Sequence, residues 1–235
     1  MIPVKNIFPC SRLMKQLGSA IFNQLLIQSG FSEHEEGVCS MKVLVLQGSP
    51  HKNGNTKQFS APFIDELRKS GVTVQKEWIY DKKLKPCLGC GICQDRLGQL
   101  GCVQEDDFAQ LVDQMLEADV TVFSTPIYAC FPPGPVKIFL DRLIYAPIKL
   151  YGKEKAPSLL AGKACAVIIT VGASPQRMIV PFETALLALT ARHKMKYLGW
   201  TGGTDPGKAY VFMNEKKEQR ARAFAHTVMD GANVL

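Results

Sequence analysis

One stretch limits the possible folds more than any other part of the chain: Met41-Lys-Val-Leu-Val-Leu-Gln-Gly-Ser-Pro-His-Lys-Asn-Gly-Asn-Thr56. Lys42 to Gln47 is a short run rich in Val and Leu and bounded by Gly48, the pattern of a strand buried on both faces of a sheet. The loop after it is made of small donors. Ser49, Asn53, Asn55 and Thr56 carry hydroxyls and amides, Gly54 allows close approach to the backbone, and Asn55 or Thr56 suits the N-cap of a helix running to about Ser70. A strand that ends this way and opens a helix offers free N–H groups and a positive dipole end to an anion. Two familiar phosphate fingerprints are excluded by counting. In G-x-x-x-x-G-K-[ST] four residues separate the glycines, whereas five separate Gly48 from Gly54 and Asn55 stands at the lysine position; G-x-G-x-x-G is absent.

The rest of the chain repeats the alternation. Strands are expected at Val72 to Tyr80 (Val74 and Trp78 inward), Val120 to Ser124, Lys163 to Val171 and Lys196 to Thr201. Helices are expected at Asp106 to Ala118, Val136 to Leu143, Met178 to His193 and Glu215 to Asp230. Five β units alternating with helices predict an α/β fold, a doubly wound parallel sheet covered on both faces. The connection 145–162, with Lys149, Lys153 and Lys155, is long enough to suggest a lid or a partner-binding segment.

Composition narrows the class. The 235 residues are 46% hydrophobic, and no apolar run approaches the roughly 20 residues that span a bilayer. The net charge of +7 is dispersed rather than gathered in a Lys/Arg block, which argues against nucleic acid and fits a cleft that attracts phosphate. Residues 1–40 hold three bases and three acids, so the whole excess belongs to residues 41–235. Leu13, Met14, Leu17, Ile21 and Leu25 recur at helical spacing in that first segment, which makes a poor signal peptide. It is expected to be an extension, translated from upstream or dispensable, with Met41 the native start.

Of the eight cysteines, four fall within 16 residues as C-x2-C-x2-C-x8-C, at Cys87, Cys90, Cys93 and Cys102. This clustering in a mid-sized α/β pattern suggests a reducing, cytoplasmic setting and a metal or redox site. Three thiolates at a two-residue step plus a distant fourth suit a compact inorganic cluster, whereas zinc usually takes two separated C-x2-C knuckles. Zinc and free redox thiols remain alternatives. Cys165, on a buried strand, is expected to be a core residue. Cys130 is expected to be a packed thiol, and His51 a solvated loop residue.

The Gly-Ser-Pro-x-x-x-Gly-Asn-Thr loop, Ser-Thr-Pro-Ile-Tyr at 124–128 and Pro-Val-Lys-Ile-Phe-Leu-Asp-Arg at 135–142 resemble the flavodoxin-like NAD(P)H-dependent FMN reductases. With Cys-Leu-Gly-Cys-Gly-Ile-Cys at 87–93 and Asp106-Asp107 they resemble the iron-sulfur flavoprotein branch, over residues 41 to about 230. The eight-residue last gap is longer than is common in that branch. The resemblance implies strand order 2-1-3-4-5 and an FMN-dependent oxidoreductase using NAD(P)H. It implies the FMN phosphate on Ser49, Asn53, Gly54, Asn55 and Thr56, and Pro126, Ile127 and Tyr128 along the flavin ring. Phe131 would lie near the ring's edge and Gly172 within backbone reach. It further implies a 4Fe-4S cluster on Cys87, Cys90, Cys93 and Cys102, a homodimer or homotetramer, and a ferredoxin-like redox partner. No nucleic acid or membrane is expected. A cluster-free NAD(P)H-dependent FMN or quinone reductase and, in another class, a zinc-loop binding module are the competing readings. Mass spectrometry of natively expressed protein tests the start site: the mature chain is expected to begin at Met41, and a peptide spanning Ser40-Met41 would refute it.

Overall fold

The computed structural model describes residues 40–207 and 209–233. The helix expected around Leu13 to Leu25, with Cys10 and Cys39, lies outside these residues. The elements run β1 (Lys42–Gln47), α1 (Asn55–Lys69), β2 (Thr73–Trp78), α2 (Phe108–Glu117), β3 (Val120–Pro126), α3 (Gly134–Leu143), β4 (Ala164–Val171), α4 (Pro175–Met178), α5 (Val180–His193), β5 (Lys196–Thr204) and α6 (Glu215–Ala232). Two short 3-10 turns, Ile79–Asp81 and Ile92–Asp95, lie between β2 and α2. The five strands are all parallel, in the order β2-β1-β3-β4-β5.

Both faces of the sheet are covered, which is why the central strands read as unbroken apolar runs rather than alternating ones. β3 and β4 are buried at every position. Val43 and Val45 point to the face closed by α1 and α6, where Phe63 and Phe224 meet with ring centroids 5.8 Å apart. Leu44 and Leu46 point to the other face, where Phe108 of α2 and Phe139 of α3 lie 5.5 Å apart beside Phe182 of α5. Each fully buried Phe contributes about 2–3 kcal/mol by leaving water. β2 is the exposed edge and carries Lys76 and Glu77, charges that discourage pairing with another chain.

Several element bounds differ from expectation for local reasons. β2 stops at Trp78 because the chain tightens into the 3-10 turn at Ile79. β3 continues through Pro126 by pairing with Thr170. The helix expected from Met178 is found as α5, which starts at Val180 with Pro181, which has no N–H to donate, in its first turn; the short α4 precedes it. β5 extends to Thr204 through Gly202 and Gly203, whose missing side chains make room for Ile169 and Phe59. The N-cap of α1 is Gly54, with no side-chain hydrogen bond, rather than Asn55 or Thr56.

His193, at the end of α5, is completely buried, and its Nδ1 lies 2.7 Å from Ser158 Oγ. Burial, reinforced by the Arg192 charge, lowers its pKa to about 4. The unfolded chain therefore holds this proton more tightly than the folded one. The linked stability is present above about pH 6.5 and lost as the pH falls toward 4, on the order of 3 kcal/mol in all. Denaturant unfolding measured across this range should show that slope, and His193→Gln should flatten it.

Candidate functional site

At the carboxyl end of the sheet the strand order reverses between β1 and β3, and the loops there diverge to leave a cleft of about 230 Å³. The loop after β1 forms one wall. Gly48 N donates to Ser124 O at 2.8 Å, so the loop starts pressed against β3. A Cβ on Gly48 would meet Val136 Cγ2 at 2.5 Å and Thr125 Oγ1 at 2.9 Å, so no larger residue fits there without displacement. Ser49 O accepts from Trp78 Nε1 at 3.0 Å, and Lys52 pairs with Asp81 at 2.6 Å, which ties the loop to the end of β2.

The cleft opens onto the first turn of α1. The earliest N–H groups of that turn precede the helical ladder, and the dipole adds positive potential there. Thr56 Oγ1 lies 2.7 Å from Thr170 Oγ1, joining the helix to β4 beneath the cleft.

Ser49, Gly54, Asn55 and Thr56 line the cleft, as do Pro126, Ile127 and Tyr128 from the loop after β3 and Gly172 from the loop after β4. Asn53 stands outside it, its Oδ1 accepting from Lys57 Nζ at 2.9 Å. Phe131 does not line the wall, but it exchanges backbone hydrogen bonds with Tyr128 at 2.8 and 3.0 Å. Between them Ala129 and Cys130 are both left-handed, closing a tight turn that leaves Tyr128 and Phe131 exposed. A Cβ on Gly172 would meet nothing within 4 Å, so this wall leaves room for a planar ligand to lie close.

One contributor was not foreseen. Asp205 lines the cleft because β5 outruns its expected end, and its N–H donates to Val171 O at 2.7 Å. The motif at 124–128 does not point to it, because it arrives from a distant part of the chain. His51, expected to be a solvated loop residue, is exposed and borders the same cleft. Outside this lining, burial first and then Tyr128 raise the pKa of the Tyr80 phenol above the ordinary value.

The four clustered cysteines occupy the segment between the 3-10 turn at Ile79 and α2. Cys87 and Cys90 are exposed, and Cys93 and Cys102 half-buried. Three of the sulfurs receive N–H donors: Cys87 Sγ from Gly89 N at 3.5 Å, Cys93 Sγ from Gln94 Nε2 at 3.6 Å, and Cys102 Sγ from an Arg142 Nη at 3.2 Å. Such a donor set complements sulfur that carries negative charge. A Cβ on Gly101 would strike the Cys93 carbonyl oxygen, so glycine there lets the returning chain bring Cys102 past Cys93. Among the described residues no three Cys, His, Asp or Glu side chains converge as a single-ion site.

Two buried side chains anchor this segment. Gln94 donates to Tyr145 O at 3.0 Å and Ile148 O at 2.9 Å and accepts from Leu150 N at 2.7 Å. The long connection expected to be a lid or a partner-binding segment thus also seats, in its first part, the cysteine segment. Arg142 pairs with Asp106 at 2.5 Å, donates to Lys85 O at 3.2 Å and stacks 4.1 Å from the Phe108 ring centroid. Both side chains of the pair are almost wholly buried, at 1% and 2% exposure. Burial opposes both charges. The Arg142 bond and the backbone N–H groups of Lys85 and Phe108 outweigh it for Asp106, whose pKa falls; Asp106 and Cys102 outweigh it for Arg142, whose pKa rises. Cys165, by contrast, is enclosed in the core, and burial pushes its thiol up to about 12, as suits an inert packing residue.

Known proteins resemble the chain at both levels. The sequence profile described as NADPH-dependent FMN reductase matches residues 41–200. An iron-sulfur flavoprotein of Archaeoglobus fulgidus is 36% identical over 104 residues, 44% of this chain and 46% of the relative. One from Methanocaldococcus jannaschii is 30% identical over 102 residues, 43% of this chain and 51% of the relative. The chain thus spans about half the length of these curated relatives. Among solved structures, RosB bound to 8-demethyl-8-formylriboflavin 5'-phosphate superposes with a TM-score of 0.63 over 83% of this chain and 80% of that one. At 15% identity this is a likeness of fold.

Gln94→Ala should leave its backbone partners unpaired and cost about 1–3 kcal/mol, read by denaturant unfolding. Hydrogen exchange at the Leu150 amide should quicken in the same variant.

Proposed function

Because the chain belongs to the NADPH-dependent FMN reductase family, we propose that it binds FMN in the cleft and works as an FMN-dependent oxidoreductase supplied by NAD(P)H. The observation that carries this reading is the pairing of an uncapped helix N-terminus with an unobstructed wall at Gly172 in one cleft. The first N–H groups of α1, those of Asn55 and Thr56 among them, with the Ser49 hydroxyl, would hold the phosphate. Pro126, Ile127 and Tyr128 would supply the apolar bed for the ring, and the tight turn at Ala129-Cys130 keeps Tyr128 turned outward. When bound, FMN supplies hydride acceptance and release of electrons singly or in pairs. The chain's own contribution is to bind, orient and limit water at one side of the ring.

The reading extends to the cysteine segment, where Cys87, Cys90, Cys93 and Cys102 would hold a 4Fe-4S cluster. The N–H donors at three of these sulfurs support it, and a cluster of this kind supplies one-electron exchange. α3 links the two regions: it starts just after the cleft loop and carries Arg142 about 12 Å along its axis, at 1.5 Å per residue. Leu88, Ile92 and Leu97 on the cysteine segment and Tyr128 and Phe131 at the cleft are exposed, as a homodimer or homotetramer and docking of a ferredoxin-like protein would require. No helix among the described residues is long and apolar enough to cross a membrane. The free thiols among them suit a reducing, cytoplasmic setting.

An absorption spectrum with iron and acid-labile sulfide assays on anaerobically purified protein tests this. Flavin bands, a broad brown shoulder and about four irons per chain are expected. Flavin without iron after anaerobic reconstitution would leave a cluster-free FMN or quinone reductase, and a colourless protein with stoichiometric zinc would overturn the reading. Gly172→Leu should weaken FMN binding tenfold or more while leaving the unfolding midpoint unchanged, because its first added carbon meets only open space.

A further inference from the structure

We propose that Arg142 is the positioning residue of the cysteine segment, orienting Cys102 and setting the reduction potential of the iron-sulfur site, while Asp106 moderates it. This inference rests on the cluster reading above. Three observations carry it.

Arg142 supplies the charged donor at these sulfurs; the donors at Cys87 and Cys93 are a neutral backbone N–H and a neutral amide. Its guanidinium is held from several sides, by Asp106 at 2.5 Å, Lys85 O at 3.2 Å and the Phe108 ring at 4.1 Å. Asp106 is itself clamped by Lys85 N at 2.7 Å and Phe108 N at 3.1 Å. The direction of the N–H aimed at Cys102 is therefore determined by the folded backbone, not by the sulfur.

A buried ion pair is a weak source of stability, since apolar residues of the same volume would do as well. Spending one guanidinium N–H on sulfur makes physical sense where that sulfur carries negative charge, because a neutral thiol is a feeble acceptor. An electron added to the site increases that charge beside a fixed cation and an N–H donor, so the reduced state is favoured and the potential rises. Asp106 contributes the opposite sign. Removing the cation and removing the anion should thus move the potential in opposite directions, which a loosened loop would not do.

The test is a redox titration, followed by electron paramagnetic resonance, of anaerobically reconstituted full-length wild type, R142Q, R142K and D106N. In R142Q the reduction equilibrium should shift about tenfold toward the oxidised form, about 59 mV more negative for one electron. R142K, which keeps the charge but not the planar reach, should fall between R142Q and wild type. D106N should shift the other way. The flavin equilibrium, read in the same samples, should move less than threefold throughout. Unchanged iron-site potentials, or R142K and D106N shifting in the same direction, would overturn the proposal, and this pair decides it if R142Q does not fold. Wild-type protein that binds flavin but holds no iron after reconstitution would instead remove the cluster reading, and this inference with it.

Discussion

Strand β1 has hydrogen-bonded neighbours on both sides, β2 on one and β3 on the other, and the rest of the molecule follows from that placement. Right-handed crossovers that run in opposite directions along the sheet, from β1 to β2 and from β2 back past β1 to β3, must pass over opposite faces. α1 therefore packs with α6 over Val43 and Val45, while α2 and α3 pack over Leu44 and Leu46. The loops after β1 and β3 have to part as they leave the sheet, and the gap between them is the cleft. Nothing in the cleft had to be carved out of a packed core.

The second organising contact lies at the other end of α3. The buried Arg142–Asp106 pair gathers Lys85, Cys102 and α2 around one guanidinium, and Gln94 does the same for the backbone of 145–150. Between them they hold a glycine-rich segment in which Leu84, Leu100 and Cys102 pack against the core while Leu88, Ile92 and Leu97 face solvent. Polar anchors therefore supplement here the apolar burial that holds the sheet. They also couple the segment to the helix that begins at the cleft, so the two regions share one rigid element.

Much of this was legible in the chain because the signals are local. The five strands and the helices between them appear in the alternation of apolar runs with helical periodicity, and the motif resemblance gives the strand order. Ser49, Gly54, Asn55 and Thr56 could be picked out together because one loop carries them. The misreadings are equally local. Asn55 and Thr56 are good caps by residue type, but Thr56 spends its hydroxyl on Thr170, 114 positions away, and glycine takes the cap position. The helix expected from Met178 starts instead at Val180, with Pro181 in its first turn, where a missing N–H costs nothing. The end of β5 was missed because Gly202 and Gly203 look like a turn in isolation, whereas pairing with Ile169 and Thr170 of β4 keeps them in the strand.

Residue order alone determined the doubly wound sheet, the donor-rich turn after β1 and the grouping of four cysteines, since each rests on neighbours within one element or loop. Tertiary structure decided what surrounds them. It brought Asp205 to the cleft, placed the first part of the 145–162 connection as the seat for Gln94, and aimed Arg142 at Cys102. The physical reason is range: periodicity and turn chemistry act over a few residues, whereas a buried charge or a cleft wall depends on elements brought together by the sheet.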